Sequence, residues 1–261
     1  MADWTHFHLV RIQFLGHNYH GWQKQPNHPS IHGTIDSTLE KILKGAPFKT
    51  IGCSRTDAKV SAADYVFELF TQTEIIPDQL LHRLNKNLPP DIKATTISPT
   101  HSEFNIIQGA KAKEYHYYFS FGEKSHPFSS PHAQHFSQNL NLGLMTKAAG
   151  EFEGSHFFGW YTQKPSENTL LEREILSAQI VHNHFLSGNF FPENSFVFVV
   201  KAEGFLRYQV RMMMGALLEV GSGVWDTETL KASLTAGQFN KIIHVAPAIG
   251  LVLHRVELMP H

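Results

Sequence analysis

The chain has a single cysteine, Cys53, among 261 residues, so it can form no internal disulfide and no all-cysteine zinc site. Such usage suits a reducing compartment. No stretch approaches the ~20 apolar residues that span a bilayer. The opening residues, Met1-Ala2-Asp3-Trp4-Thr5-His6, lack the basic and apolar regions of a signal peptide. A cytoplasmic protein without a membrane partner is expected. Charge of one sign is also lacking: 22 Lys and Arg face 23 Asp and Glu, for a net charge of −1. Phosphate binders usually carry a basic excess, so a nucleic-acid partner requires a locally basic groove on a surface otherwise acidic. No Gly-rich phosphate loop, dinucleotide fingerprint or serine-nucleophile elbow occurs, which argues against a nucleotide cofactor. The 18 histidines include the close pairs His6 and His8, His17 and His20, and His182 and His184. None has the helical His-Glu-x-x-His pattern or a Cys/His zinc spacing, so no metal site is expected.

What the chain does have is apolar residues at regular spacing. With 42% hydrophobic and 17% charged residues it can bury a sizeable core. Alternation predicts a strand over residues 7–15. Ser30 can cap a helix carrying Ile31, Ile35, Leu39, Ile42 and Leu43, which Gly45 and Pro47 end. Strands follow near residues 48–53 and 62–71, a helix opens at Pro77 and stops at Pro89-Pro90, and residues 91–98 form a strand. The second half repeats this order: a strand over 115–121, a helix over 140–152, strands over 174–184 and 195–203, a helix over 205–220, and a last strand over 251–258. Residues 227–235 read as a small extra helix, and 161–169 and 186–194 as surface loops. The pattern predicts an α+β fold of two ferredoxin-like βαββαβ halves joined into one extended antiparallel sheet flanked by helices. The halves divide into residues 1–105 and 106–261.

Three segments are candidates for chemistry. Ser54-Arg55-Thr56-Asp57 lies between two strands, where loops often carry function; by itself it also fits an ordinary solvated ion pair. The helix near residue 210 is apolar almost all round, yet Arg211 interrupts it. A buried guanidinium needs a carboxylate or phosphate partner, unless its long side chain reaches solvent. Asp57 is one candidate partner. Lys111-Ala-Lys113-Glu-Tyr115-His-Tyr-Tyr interleaves basic and aromatic residues, as a nucleic-acid surface does, and as a strand with aromatics packed on one face also does.

In order along the chain, these segments resemble the tRNA pseudouridine synthase A family. The resemblance rests on Gly21-Trp22-Gln23-Lys24-Gln25-Pro26, Arg55-Thr56-Asp57-Ala58, Leu84-Asn85 with Leu88-Pro89, and Tyr115. It continues through Gly154, His156 and Phe158, which match a later loop, Arg173-Glu174-Ile175, Phe205-Leu206 with Val210-Arg211, and Ala246-Pro247-Ala248 with Gly250-Leu251. It implies the pseudouridine synthase fold, a homodimer, no cofactor, and conversion of uridine to pseudouridine in the anticodon stem-loop of tRNA. It also implies roles: Asp57 as the nucleophilic carboxylate, Arg211 as its cationic partner, Arg55 as the residue displacing the base, Tyr115 stacking on it and Leu251 packing beside it. Lys24, Lys111, Lys113 and Arg207 become phosphate contacts that orient the RNA. The sequence departs from the family at Ser54 and Lys59, usually glycine, at Ser61, usually histidine, and at Ile107, commonly basic. If the backbone at residue 59 needs positive φ, a lysine there is strained. These departures and the low net charge leave two alternatives: a non-catalytic or retargeted RNA-binding relative, and a small-molecule hydrolase using Asp57 with a histidine or a metal.

Overall fold

The computed structural model describes residues 4–188, 190–237, 239, 241 and 243–260. The chain forms two compact units, one running to Lys111 and including the residues from Leu253 onward, the other Ala112–Val252. The class is α+β, as the sequence predicts: antiparallel strands predominate, and helices flank them.

The first unit runs β1 (His6–Phe14), α1 (Ile31–Leu43), β2 (Phe48–Gly52), β3 (Ser61–Thr71), α2 (Pro77–Asn87) and β4 (Ile92–Thr100). Its strands lie in the order β4-β1-β3-β2, the ferredoxin-like arrangement. β3 is central and buried along most of its length, with Tyr65, Val66 and Leu69 fully covered. α1 starts where Ser30 Oγ accepts the Gly33 N–H at 3.2 Å, and it buries Ile31, Ile35, Leu39 and Ile42. It ends at Lys44, which adopts a left-handed φ of 53°. Pro77 opens α2, where a missing N–H costs no hydrogen bond.

The second unit contains β5 (Ala110–Phe121), β6 (Gln134–Phe136), α3 (Leu142–Gly150), β7 (Gly154–Phe157), β8 (Glu172–His182), β9 (Ser195–Ala202), α4 (Gln209–Gly221) and α5 (Thr227–Ser233). β10 (Leu251–Leu258) closes the chain. The strand order is β5-β9-β8-β7. β9 is buried on both faces, which explains its unbroken run Phe-Val-Phe-Val-Val. From Leu253 on, β10 belongs to the first unit, beside β3. There Asp64 Oδ2 lies 2.6 Å from Arg11 Nη1 and accepts the Val256 N–H at 3.0 Å.

The structure corrects the sequence reading in three places. Residues 154–157, read as part of a loop, form β7, paired with β8 from Gly154 opposite Ile175 to Phe157 opposite Glu172. β6 was not expected and pairs parallel to β5. The helix expected from residue 205 begins at Gln209, because Tyr208 holds a left-handed φ of 65° that no α-helix can include.

Candidate active site

In the first unit, Arg55 and Asp57 sit on the loop between β2 and β3, Arg55 exposed and Asp57 half-buried. The loop is held mainly by backbone. Trp22 N–H donates to Thr56 O at 3.3 Å, Lys59 N–H to Tyr19 O at 3.0 Å, and Val60 N–H to Asp57 O at 3.2 Å. The segment that grips it, residues 16–22, approaches so closely at Gly16 and Gly21 that no side chain fits at either. A Cβ on Gly16 would come 2.0 Å from Val60 O, and one on Gly21, whose φ is +88°, would come 2.3 Å from Thr56 O. The same segment caps α1, since Ile31 and His32 donate their N–H groups to Gly21 O and Trp22 O at 3.1 and 3.0 Å.

Two family departures gain a physical meaning here. Lys59 has φ +68°, so the condition for strain at this non-glycine position is met. Ser61 is buried, and its Oγ accepts the Gly16 N–H at 2.9 Å, so it joins the loop to its clamp. Ser54 O accepts a hydrogen bond from the Tyr65 hydroxyl. Ile107 is 64% exposed.

In the second unit, Arg211 lies in the first turn of α4. Its Nε donates to Ala246 O at 2.7 Å, and its guanidinium carbon sits 5.1 Å from the centre of the Tyr208 ring. Arg207 approaches the same ring at 4.9 Å and donates from Nη2 to the Tyr208 hydroxyl at 3.2 Å. Tyr208 therefore orders both cations, each by attraction to the face of its ring. Residues 244–251 are strapped down nearby. Ala246 N–H donates to Arg211 O at 3.0 Å, Tyr117 OH to Pro247 O at 2.8 Å, and Tyr118 N–H to Gly250 O at 2.8 Å. A Cβ on Gly215 would fall 1.9 Å from His244 O, so this glycine lets the strap lie on α4. Burial pushes the Tyr117 hydroxyl pKa well up, with the positive charge of Arg211 pulling the other way. Tyr115 is buried and packs edge-on against Phe205 at 5.3 Å. Leu251 is buried at the start of β10.

The structure thus joins Arg55 with Asp57 on one loop, and Arg207 with Arg211 around one tyrosine. The lysines are more scattered. Lys24 forms an ion pair with Asp36, Lys111 is exposed at the start of β5, and Lys113 is half-buried on that strand. Sequence reasoning missed Tyr208. The signal was an aromatic three residues before Arg211 and adjacent to Arg207, at the start of a helix.

Comparisons with known proteins place the whole chain. Residues 148–257 match a family model described as tRNA pseudouridine synthase. The chain is 34% identical to a tRNA pseudouridine synthase A 2 of Bacillus cereus, over 95% of this chain and 98% of that protein. It is 32% identical to tRNA pseudouridine synthase A of Aquifex aeolicus, over 96% of this chain and 99% of that one. Among solved structures, a Cbf5-Nop10-Gar1 complex is similar at a TM-score of 0.37 and 15% identity, over 80% of this chain. The match spans 46% of that neighbour's chain. With about a third of its residues shared over nearly the full length of curated relatives, the chain belongs to the tRNA pseudouridine synthase A family of isomerases.

Proposed function

We propose that the protein isomerises uridine to pseudouridine in the anticodon stem-loop of tRNA, with Asp57 as the nucleophile. The observation that carries this reading is Asp57 on a loop clamped by backbone contacts, in a chain of this family. The reaction breaks the bond from the sugar to N1 of the base and forms one from the sugar to C5. C5 loses a proton and N1, freed from the sugar, gains one to become an N–H, so oxidation state and composition are unchanged and no cofactor is needed. An ionised carboxylate suits an electron-poor sugar carbon. The reading gives Arg211 the role of keeping Asp57 ionised, since a neighbouring cation lowers a carboxyl pKa.

Arg55 displaces the target base from its stack, at a cost of a few kcal/mol that such enzymes meet by binding. Tyr115 stacks on the displaced base and Leu251 packs beside it. Lys24, Lys111, Lys113 and Arg207 contact phosphates, Lys24 by exchanging its partner Asp36 for the RNA backbone. Residues 1–105 supply the aspartate and residues 106–261 the tyrosine and the second arginine. The protein acts in the cytoplasm as a homodimer. A second reading, an RNA-binding relative that has lost turnover, is favoured by one observation, the left-handed backbone at Lys59.

The test is tritium release from tRNA labelled at uridine C5, with a chelator present. Release at wild-type rates supports a metal-independent synthase. Tight tRNA binding without release supports the second reading, and release that requires added metal contradicts both.

A further inference from the structure

The loop bearing Arg55 and Asp57 also borders a cavity that the roles above leave unused. Its volume is about 310 Å³, and it lies wholly within the first unit, with Trp22, His32, Gly52, Ser54, Arg55 and Ile107 among its lining. That size is at the lower end for sites that hold small planar molecules. No lining residue is acidic, and the one permanent charge is the Arg55 guanidinium. An anionic chain passing the mouth therefore meets one cation and no repulsion.

The walls are built from rings. Trp22 stacks on Tyr65 at 4.2 Å and 27°, and on His32 at 5.0 Å and 9°. Gly52 makes this possible, since a Cβ there would lie 2.6 Å from the Trp22 ring and 2.2 Å from the Tyr65 hydroxyl. His32 is held by Nε2 at 2.7 Å from Thr50 Oγ1, which in turn donates to Asp36 Oδ1 at 2.6 Å. Burial lowers its pKa, so the ring is uncharged at neutral pH. Ile107 stands at the cavity with 64% of its surface exposed. Its turn is anchored: Ile106 N–H donates to the buried Glu68 Oε2 at 3.3 Å, and Ile107 N–H to Asn105 Oδ1 at 3.0 Å. The apolar side chain is thus presented at a fixed place.

We propose that this cavity receives a nucleobase of the bound RNA that neighbours the target uridine, lodged against Ile107, the half-buried His32 ring and the edge of Trp22, whose faces Tyr65 and His32 already cover. The proposal rests on the function proposed above, because it takes RNA as the ligand of the Asp57 loop. Single-stranded bases splayed from a loop are recognised by apolar and aromatic surfaces with a few polar groups at the base edge. Ser54 and Gln23 supply such groups here, both neutral. Arg55 joins this cavity to the Asp57 loop: displacing one base from the stack leaves its neighbour without a stacking partner, and the cavity is two residues from Asp57.

The test uses dissociation constants, so it does not depend on turnover. The intact protein and Ile107→Ala are each titrated with a synthetic anticodon stem-loop, and with versions abasic at one nucleotide on either side of the target. For the wild type, one abasic site weakens binding roughly 10-fold, the scale of one base–aromatic contact. Ile107→Ala weakens binding of the intact RNA, and the same abasic site then adds less than about a further twofold, because base and wall are one contact. Penalties that multiply in full, or no penalty at any neighbouring abasic site, overturn the proposal. Pseudouridine formation by the wild type on the intact RNA is scored in parallel. If RNA binds with the coupled pattern but no product forms, the function proposed above fails while the base site stands.

Discussion

The Asp57 loop and the Arg211 turn are positioned by different means. The loop is gripped by main chain: Gly16 and Gly21 pack on the backbone of residues 56–60, and three backbone hydrogen bonds hold it. Arg211 donates to the Ala246 carbonyl and lies against the Tyr208 ring, so side-chain contacts take part in placing it. A loop held through its backbone tolerates new side chains. Ser54 and Lys59, which depart from the family, sit on a loop whose backbone bonds run to Tyr19 and Trp22, while Ser61 adds one side-chain bond to Gly16 N–H. An arginine that lies against a ring responds to loss of that ring. The loop is therefore most sensitive to added bulk at its glycines, and the Arg211 turn to loss of a side chain.

The largest effect that sharpens this contrast is expected from Gly16→Ala. The added methyl has no space beside Val60 O, so thermal or urea unfolding is expected to show a loss of about 3 kcal/mol, the upper range for overpacking. A loss below about 0.5 kcal/mol would break the main-chain account of the loop. Ser61→Ala comes next. It leaves the buried Gly16 N–H without its acceptor and is expected to cost about 1–2 kcal/mol by the same measurement. On the other side of the comparison, Tyr208→Leu is expected to reduce kcat/KM about 10-fold through the lost ring–guanidinium attraction, and Tyr208→Phe to restore most of it. Equal defects in both variants would assign the effect to the hydroxyl bond with Arg207 instead. The smallest effect is a gain: Lys59→Gly relieves the left-handed backbone and is expected to raise stability by about 1 kcal/mol.

The sequence made legible whatever depended on side-chain spacing. α1 was readable because Ser30 caps it and its apolar residues recur on one face. Arg211 stood out because a charge in an apolar helix requires a partner. Features set by backbone geometry were harder to see. β7 is a short edge strand whose identity comes from pairing with β8 rather than from alternation. The start of α4 is fixed by the backbone of Tyr208, a residue that usually tolerates a helix. The cavity near Arg55 requires Trp22, Gly52 and Ile107, which are separated by 30 and 55 positions in the chain, to meet in space. The sequence could show that Lys59 departs from the family's glycine, but its φ of 68° had to come from the structure.

The central claim, that the clamped loop exists to present a nucleophilic carboxylate, is tested most directly by Asp57→Asn. Pseudouridine in tRNA is measured by nucleoside chromatography after treatment with wild type or variant, with unfolding curves for both proteins. The account predicts abundant product from the wild type, a loss of at least about a thousandfold in the variant, and stability within about 1 kcal/mol of wild type. Product formation by a folded Asp57→Asn protein within about tenfold of the wild-type rate would contradict it.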